Sequence, residues 1–195
     1  MEKKLSNFQV LSGSTLKMIA IITMLVDHIG AFLVIYTTPL YNNGNEWIAN
    51  AESWYWVMRQ IGRTAFPIFC FLLVEGFLHT KDSFFYLARL MFFAVLSEVP
   101  FDLAVSGEII SWKYQNVFLT LFLGLGMLMI LTAADRYRRE KMEVPSGFNQ
   151  FDLVQGIIVV AAVAVAELMN CDYGGKGILL IAILFYTRNQ RLLSC

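Results

Sequence analysis

The chain has 195 residues, of which 57% are hydrophobic and 15% charged, and its 15 basic and 15 acidic side chains cancel. An apolar share of that size exceeds the globular norm and marks a membrane protein, while the balanced charge lacks the basic footprint of a nucleic-acid binder. The three cysteines, Cys70, Cys171 and Cys195, are scattered without metal-ligand spacing, so neither a metal site nor a disulfide framework is expected.

Lys3 and Lys4 precede an apolar run that imitates a secretory signal, but the run is long, contains Asp27 and His28, and shows no small-residue cleavage pattern. It reads as a retained first helix. About 20 mostly apolar residues are needed to cross the hydrocarbon core. Segments near 15–36, 57–78, 84–105, 114–134 and 153–169 meet that requirement. A sixth, "GILLIAILFYT" from Gly177 to Thr187, reaches comparable length only by starting near Tyr173, so it is expected to be short and partly embedded. With no repeat, low-complexity tract or soluble linker, residues 1–195 are expected to form one all-α domain. Its fold is a polytopic transmembrane helix bundle of about six spans, the last one short.

The basic residues set an orientation. Arg136, Arg138, Arg139 and Lys141 follow the fourth span, and the positive-inside rule puts that loop in the cytoplasm. By alternation the N-terminus, the turn with Lys81 and the tail with Arg188 and Arg191 share that side, whereas the opposite loops hold only Lys113 and Lys176. The expected location is the bacterial cytoplasmic membrane with both termini inside. "TTPLYNNGNEWIANAESWYW", between the first two spans, has no basic residue and suits an outer loop along an aromatic interface belt.

Ionisable residues inside spans need a partner or a wet cavity and are candidates for function. In the first helix Lys17 and His28 are eleven residues apart. That is about 1,100° of rotation and about 16 Å of rise, so both point in nearly one direction. The second span carries Arg59, Arg63 and Glu75, with Gly62 and Pro67 inviting a bend. The third carries Arg89, then Glu98 and Asp102 in "SEVPFD", which would share a face if Pro100 did not open the turn. An outer layer is thus expected to gather Asp27, His28, Arg59, Arg63, Glu98 and Asp102, and an inner layer Lys17, Glu75 and Arg89. Bland alternatives stand beside these: Lys17 and Arg59 snorkelling to headgroups, Arg63 forming a structural pair with Glu98 or Asp102, and His79 at a solvated helix end.

The blocks "LKMIAIITMLVDHIGAF", "RQIGRTAFPIFCFLLVEGFLHT", "LSEVPFDL", "NVFLTLFLGL" and "DYGGKGILLI" resemble, in order and spacing, the TraX family of membrane proteins, from about Ser12 to Tyr186. TraX proteins are named for N-terminal acetylation of conjugative pilin and look like relatives of transmembrane acyltransferases that use acyl-CoA. In those relatives a basic residue, ten intervening residues and a histidine mark the first helix, which Lys17 and His28 match. The resemblance implies a catalytic His28 and a Lys17 near the coenzyme A end of the site. Arg63, Glu75, Glu98, Asp102 and Asn116 fall in matching blocks without assigned roles. Relatives commonly continue into further spans, whereas this chain stops at Cys195, which leaves acceptor recognition open.

The mechanism expected from this pattern draws acetyl-CoA from the cytoplasm, its phosphates among Lys17 and Arg89, with its arm reaching His28. There a neutral imidazole takes the proton of an attacking amine or hydroxyl. Asp27 tunes that base or pairs elsewhere, Glu98 or Asp102 orients the ring, and Arg63 or Asn116 offsets charge on the thioester oxygen. The partners are membrane lipid and an acyl acceptor, whether pilin-like peptide, glycan or small molecule. The competing readings are a proton-coupled transporter and a structural subunit whose buried ions fix helix pairing.

Overall fold

The computed structural model describes residues 12–37, 49–105, 107–141 and 150–193, and their regular structure is helical. In chain order the helices are α1 (Gly13–Thr37), α2 (Ala49–Arg63), α3 (Ala65–His79), α4 (Ser83–Val105), α5 (Val117–Lys141), α6 (Gln150–Leu168) and α7 (Gly174–Leu193). Four stretches among the described residues are long and apolar enough to cross a membrane: Gly13–Ala31, Ser53–His79, Ser83–Val105 and Val117–Glu140. The protein is an all-α membrane helix bundle. Two compact units divide at Leu72 and Leu73, inside α3.

Polar caps set where several helices begin. Ser12 Oγ accepts the Thr15 N–H at 3.1 Å, and Asp82 Oδ1 accepts that of Phe85 at 3.0 Å. Asn116 Oδ1 accepts the Phe118 N–H at 2.9 Å. Each satisfies an amide that the first helical turn leaves without a partner. Asn116 therefore moves the fourth expected segment's start from 114 to Val117, the first residue of α5.

In the first unit α1 packs on α2 through glycines. A Cβ on Gly30 would lie 2.9 Å from Met58 Cβ, and one on Gly62 would overlap the Asp27 side chain. Small residues on both helices let the backbones approach closely, as apolar helices in lipid require. The expected single segment 57–78 is instead two helices, and α2 starts at Ala49, so residues 49–56 belong to a helix rather than to the expected loop. Residues 38–48 of that loop lie outside the described residues, as do Lys3 and Lys4. The break falls at Thr64, not at Gly62 or Pro67 themselves. Pro67 has no N–H for the Arg63 carbonyl four residues earlier, and its ring clashes there, so α2 stops at Arg63 and Pro67 sits in the first turn of α3.

In the second unit α5 packs against α4, α6 and α7. Leu121, Leu125, Leu128 and Leu131 form its buried stripe, opposite Ile178, Ile181, Ala182 and Phe185 of α7. Ile181 reaches over Gly124, and Phe77 meets Phe185 with ring centroids 6.2 Å apart. The last segment, expected to be short, is a helix of 20 residues. On α4 the buried positions Leu90, Ala94 and Asp102 follow one stripe of four-residue steps that also contains Glu98, while Phe84, Phe85, Phe92 and Val95 are exposed, a surface suited to acyl chains.

The expectation that Pro100 opens the turn is corrected: α4 runs unbroken through it to Val105. Proline removes only the hydrogen bond to the carbonyl four residues back, a loss that neighbouring packing and hydroxyl groups absorb in membrane helices. Glu98 and Asp102 consequently share a face.

The glycine contacts make opposite predictions at two positions. Gly62→Ala is expected to lower stability by about 1–3 kcal/mol, because Asp27 Cβ sits on the helix and cannot move aside. A Cβ at Gly126 meets nothing within 4 Å, so Gly126→Ala is expected to be neutral or slightly stabilising. Thermal unfolding of both variants in detergent checks the pair.

Candidate functional site

Helix α1 is uninterrupted between Lys17 and His28, so the common face expected from their spacing is present, and both side chains are exposed. His28 Nδ1 lies 2.8 Å from the Met24 carbonyl oxygen. A carbonyl only accepts, so Nδ1 carries the proton in the neutral ring and Nε2 holds the basic lone pair. The orienting group is thus supplied by α1 itself, one turn earlier.

Asp27 projects differently, as neighbours about 100° apart on a helix must. Its Oδ2 pairs with Arg59 NH1 at 2.6 Å, the two side chains being 19% and 33% exposed. Asp27 Oδ1 is buried and has no hydrogen-bond partner among the described residues. Arg59 therefore neutralises Asp27, and Arg63, one turn on, is exposed at the end of α2.

A polar layer closes one end of the second unit. Asp102, buried on α4, accepts the Ser111 N–H on Oδ2 at 2.7 Å. Glu98 Oε2 accepts both the backbone N–H and the side-chain amide of Asn116, and that amide also donates to the Ala94 carbonyl at 2.7 Å. Gln115 exchanges backbone bonds with the α6–α7 turn: its N–H donates to the Asn170 carbonyl at 3.1 Å, and its carbonyl accepts from Asp172 at 2.9 Å. Thr120 Oγ1 donates to the Asp172 carbonyl.

The turn itself is a helix C-cap. Cys171 N–H bonds back to the Ala166 carbonyl and Asn170 N–H to that of Glu167, both at 3.1 Å, with Asn170 left-handed at φ 50°. That is the Schellman arrangement. Glu167 Oε1 then accepts the Gly175 N–H at 2.8 Å, placing a carboxylate at the N-terminus of α7. A Cβ on Gly174, whose φ is 44°, would stand 2.8 Å from that carboxylate. Burial first, and then the charges of Glu98, Asp172 and Glu167, push the Cys171 thiol up to about 11, so it is a packing thiol and not a nucleophile at neutral pH.

Over residues 12–194 the chain matches the family described as TraX protein. The chain belongs to the TraX family. It is 30% identical over 187 residues to the probable fimbrial assembly protein FimC, serogroup H1, of Dichelobacter nodosus, an alignment covering 92% of this chain and 64% of that relative. The chain thus spans less than two thirds of the length of the curated relative it matches. No solved structure matches it.

In this TraX chain the sequence blocks separate into distinct jobs. "SEVPFDL" and the start of "NVFL" build the polar layer through Glu98, Asp102 and Asn116, and "DYGGKG" is the turn stapled to it. Ser111, Gln115, Thr120 and Glu167, which complete the layer, carry no signal in the sequence beyond polarity at a helix end. Arg188 was grouped with the basic tail, yet its Nε bonds Glu75 Oε1 and its NH2 lies 3.4 Å from Oε2. Glu75, expected beside the coenzyme, is committed to that pair, and His79 Nδ1 is 3.7 Å from its Oε2 at an exposed helix end. Arg89 lies with its guanidinium 5.9 Å from the centre of the Tyr86 ring. Among the described residues no group of three or more His, Cys, Asp or Glu is placed to hold a metal ion.

The double use of Asn116 is testable. Aspartate and serine both cap helices well, so capping alone would tolerate either. Because Asn116 also donates to Glu98 and Ala94, Asn116→Asp is expected to be less stable than Asn116→Ser, by about 1–3 kcal/mol. Adding Glu98→Gln to Asn116→Asp restores an amide facing a carboxylate and is expected to recover most of the loss in thermal unfolding.

Proposed function

We propose that this TraX chain is a membrane-embedded acyltransferase that transfers the acetyl group of acetyl-CoA to an amine or hydroxyl acceptor. The reading is carried by one observation: Lys17 and His28 share a face of an unbroken α1, and the Met24 carbonyl fixes the His28 ring with Nε2 as its basic nitrogen.

The acceptor nitrogen or oxygen attacks the thioester carbonyl carbon. The new C–N or C–O bond forms, the C–S bond breaks, and the sulfur leaves as the coenzyme thiolate. His28 Nε2 takes the proton released by the acceptor and returns it to that sulfur, which general acid–base catalysis by a positioned imidazole supports. Lys17, about 16 Å along the axis from His28, supplies a cation for the coenzyme's phosphates. Glu75 is held by Arg188 and serves the fold there. The donors of Asn116 are committed to Glu98 and Ala94, which leaves Arg63 as the group to offset charge developing on the thioester oxygen.

The basic residues in the last turns of α5, including Arg136, Arg138 and Arg139, favour the cytoplasm for that end of the helix, and alternation of the spans favours the same side for both termini. Lys17 then lies on the side from which acetyl-CoA arrives and His28 toward the other. The printed description of the Dichelobacter nodosus relative concerns fimbrial assembly, which favours the amine of a pilin-like peptide over a glycan or small molecule as acceptor.

Protein in vesicles, given labelled acetyl-CoA and a panel of peptide amines and hydroxyl acceptors, tests the proposal. Transfer is expected, and His28→Ala is expected to lower it by roughly 10²–10⁴-fold with the fold intact. Lys17→Ala is expected to raise KM for acetyl-CoA with a smaller effect on kcat. Undiminished transfer by His28→Ala overturns the assigned base. Proton or solute flux without any acyl donor supports the transporter instead.

A further inference from the structure

The loop between α4 and α5 is built inside out. In water a loop turns its polar side chains outward and its apolar ones toward the core. Between Gly107 and Asn116 the uncharged residues do the reverse: Ser111, Gln115 and Asn116 are buried, while Ile109 and Ile110 are each 67% exposed, Tyr114 63% and Trp112 82%.

Specific bonds hold it that way. The buried Asp102 carboxylate takes the Ser111 N–H, the Gln115 amide donates to the Ser111 carbonyl at 3.4 Å, and the Gln115 backbone is tied to Asn170 and Asp172. Gly107, two positions past the end of α4, has a φ of 72° that other residues rarely adopt. With Ser111, Gln115 and Asn116 pinned inward, the loop presents Ile109, Ile110, Trp112 and Tyr114 outward.

The exposed apolar surface of α4 continues along the chain into this loop, from Val99 and Leu103 through Val105 to Ile109 and Ile110. Since that face of α4 belongs to a membrane-spanning stretch, the loop extends a lipid-facing surface past the end of the helix. Trp and Tyr are the side chains that favour the headgroup boundary, where an apolar ring is buried and its N–H or O–H stays wet. Glu108 and Lys113, both exposed, interrupt the apolar residues with charge that suits headgroups and would be costly in the hydrocarbon core.

We propose that residues 107–114 form an interfacial anchor that lies in the headgroup layer of the leaflet at that end of the bundle, with Ile109, Ile110, Trp112 and Tyr114 as its lipid contacts. Its occupant is the bilayer interface. This assignment needs only a membrane-spanning α4 and is independent of the acyl-transfer reading.

The test uses the full chain in vesicles with Trp47, Trp54 and Trp56 replaced by Phe, so that Trp112 alone emits. Its emission is expected to be blue-shifted from that of tryptophan in water, to be quenched most by phospholipids brominated near the glycerol backbone, and to resist aqueous iodide. Quenching by iodide with no response to brominated lipid puts the loop in water and overturns the proposal. Shielding from both quenchers shows a protein surface over the loop and overturns it equally. Should the triple replacement not fold, a nitroxide on Ile110→Cys, with Cys195→Ser and the buried Cys70 and Cys171 kept, reads the same depth. Greater accessibility to oxygen than to an aqueous nickel chelate supports the anchor, and the opposite order overturns it.

Discussion

A carboxylate carried into lipid needs either a counter-charge or hydrogen-bond donors, because desolvation otherwise costs more than packing returns. The described acidic side chains of α1, α3 and α4 meet that requirement by two chemical routes. Asp27 and Glu75 take an arginine each, from α2 and α7. Glu98 and Asp102 take amide donors from the segment that leads into α5. The first route joins helices by charge; the second joins a helix to the loop that follows it, and makes the loop's backbone part of the helix's own satisfaction.

That division shows which side chains the fold has already committed. Asn116 caps α5, bonds Glu98 and holds the Ala94 carbonyl, so it has no donor to spare for a reacting molecule. The His28 ring is aimed by a backbone carbonyl within its own helix, which puts the proton on Nδ1 and the lone pair on Nε2.

Much of this was readable from residue spacing. Helix geometry alone puts Lys17 and His28 on a common face, and hydropathy locates the spans to within a few residues except where a cap or proline decides. Pro67 shows the limit, since a bend is expected there but its place, just after the residue whose carbonyl the ring displaces, follows from the four-residue rule applied backward. Pro100 shows the other limit: the same residue type leaves α4 intact. The Glu75–Arg188 and Asp27–Arg59 pairs join residues 113 and 32 positions apart, and no periodicity within one helix encodes such a contact. The polar layer was half legible. Glu98, Asp102 and Asn116 stood out as charges or amides in apolar sequence, whereas Gln115 contributes through its backbone, which sequence does not mark.

The bonds from Glu98 and Asp102 to Asn116 and Ser111 join residues within a span of fewer than about 20 positions, so closing them brings together neighbours and costs little chain entropy. Once ribosome and insertion machinery have released α5, the α4–α5 hairpin possesses everything it needs to lock. The backbone of Gln115 must then wait for the α6–α7 turn, synthesised more than 50 residues later, to supply its partners. Biogenesis is thereby given an order: a hairpin sealed early, carrying a docking edge that the last pair of helices completes.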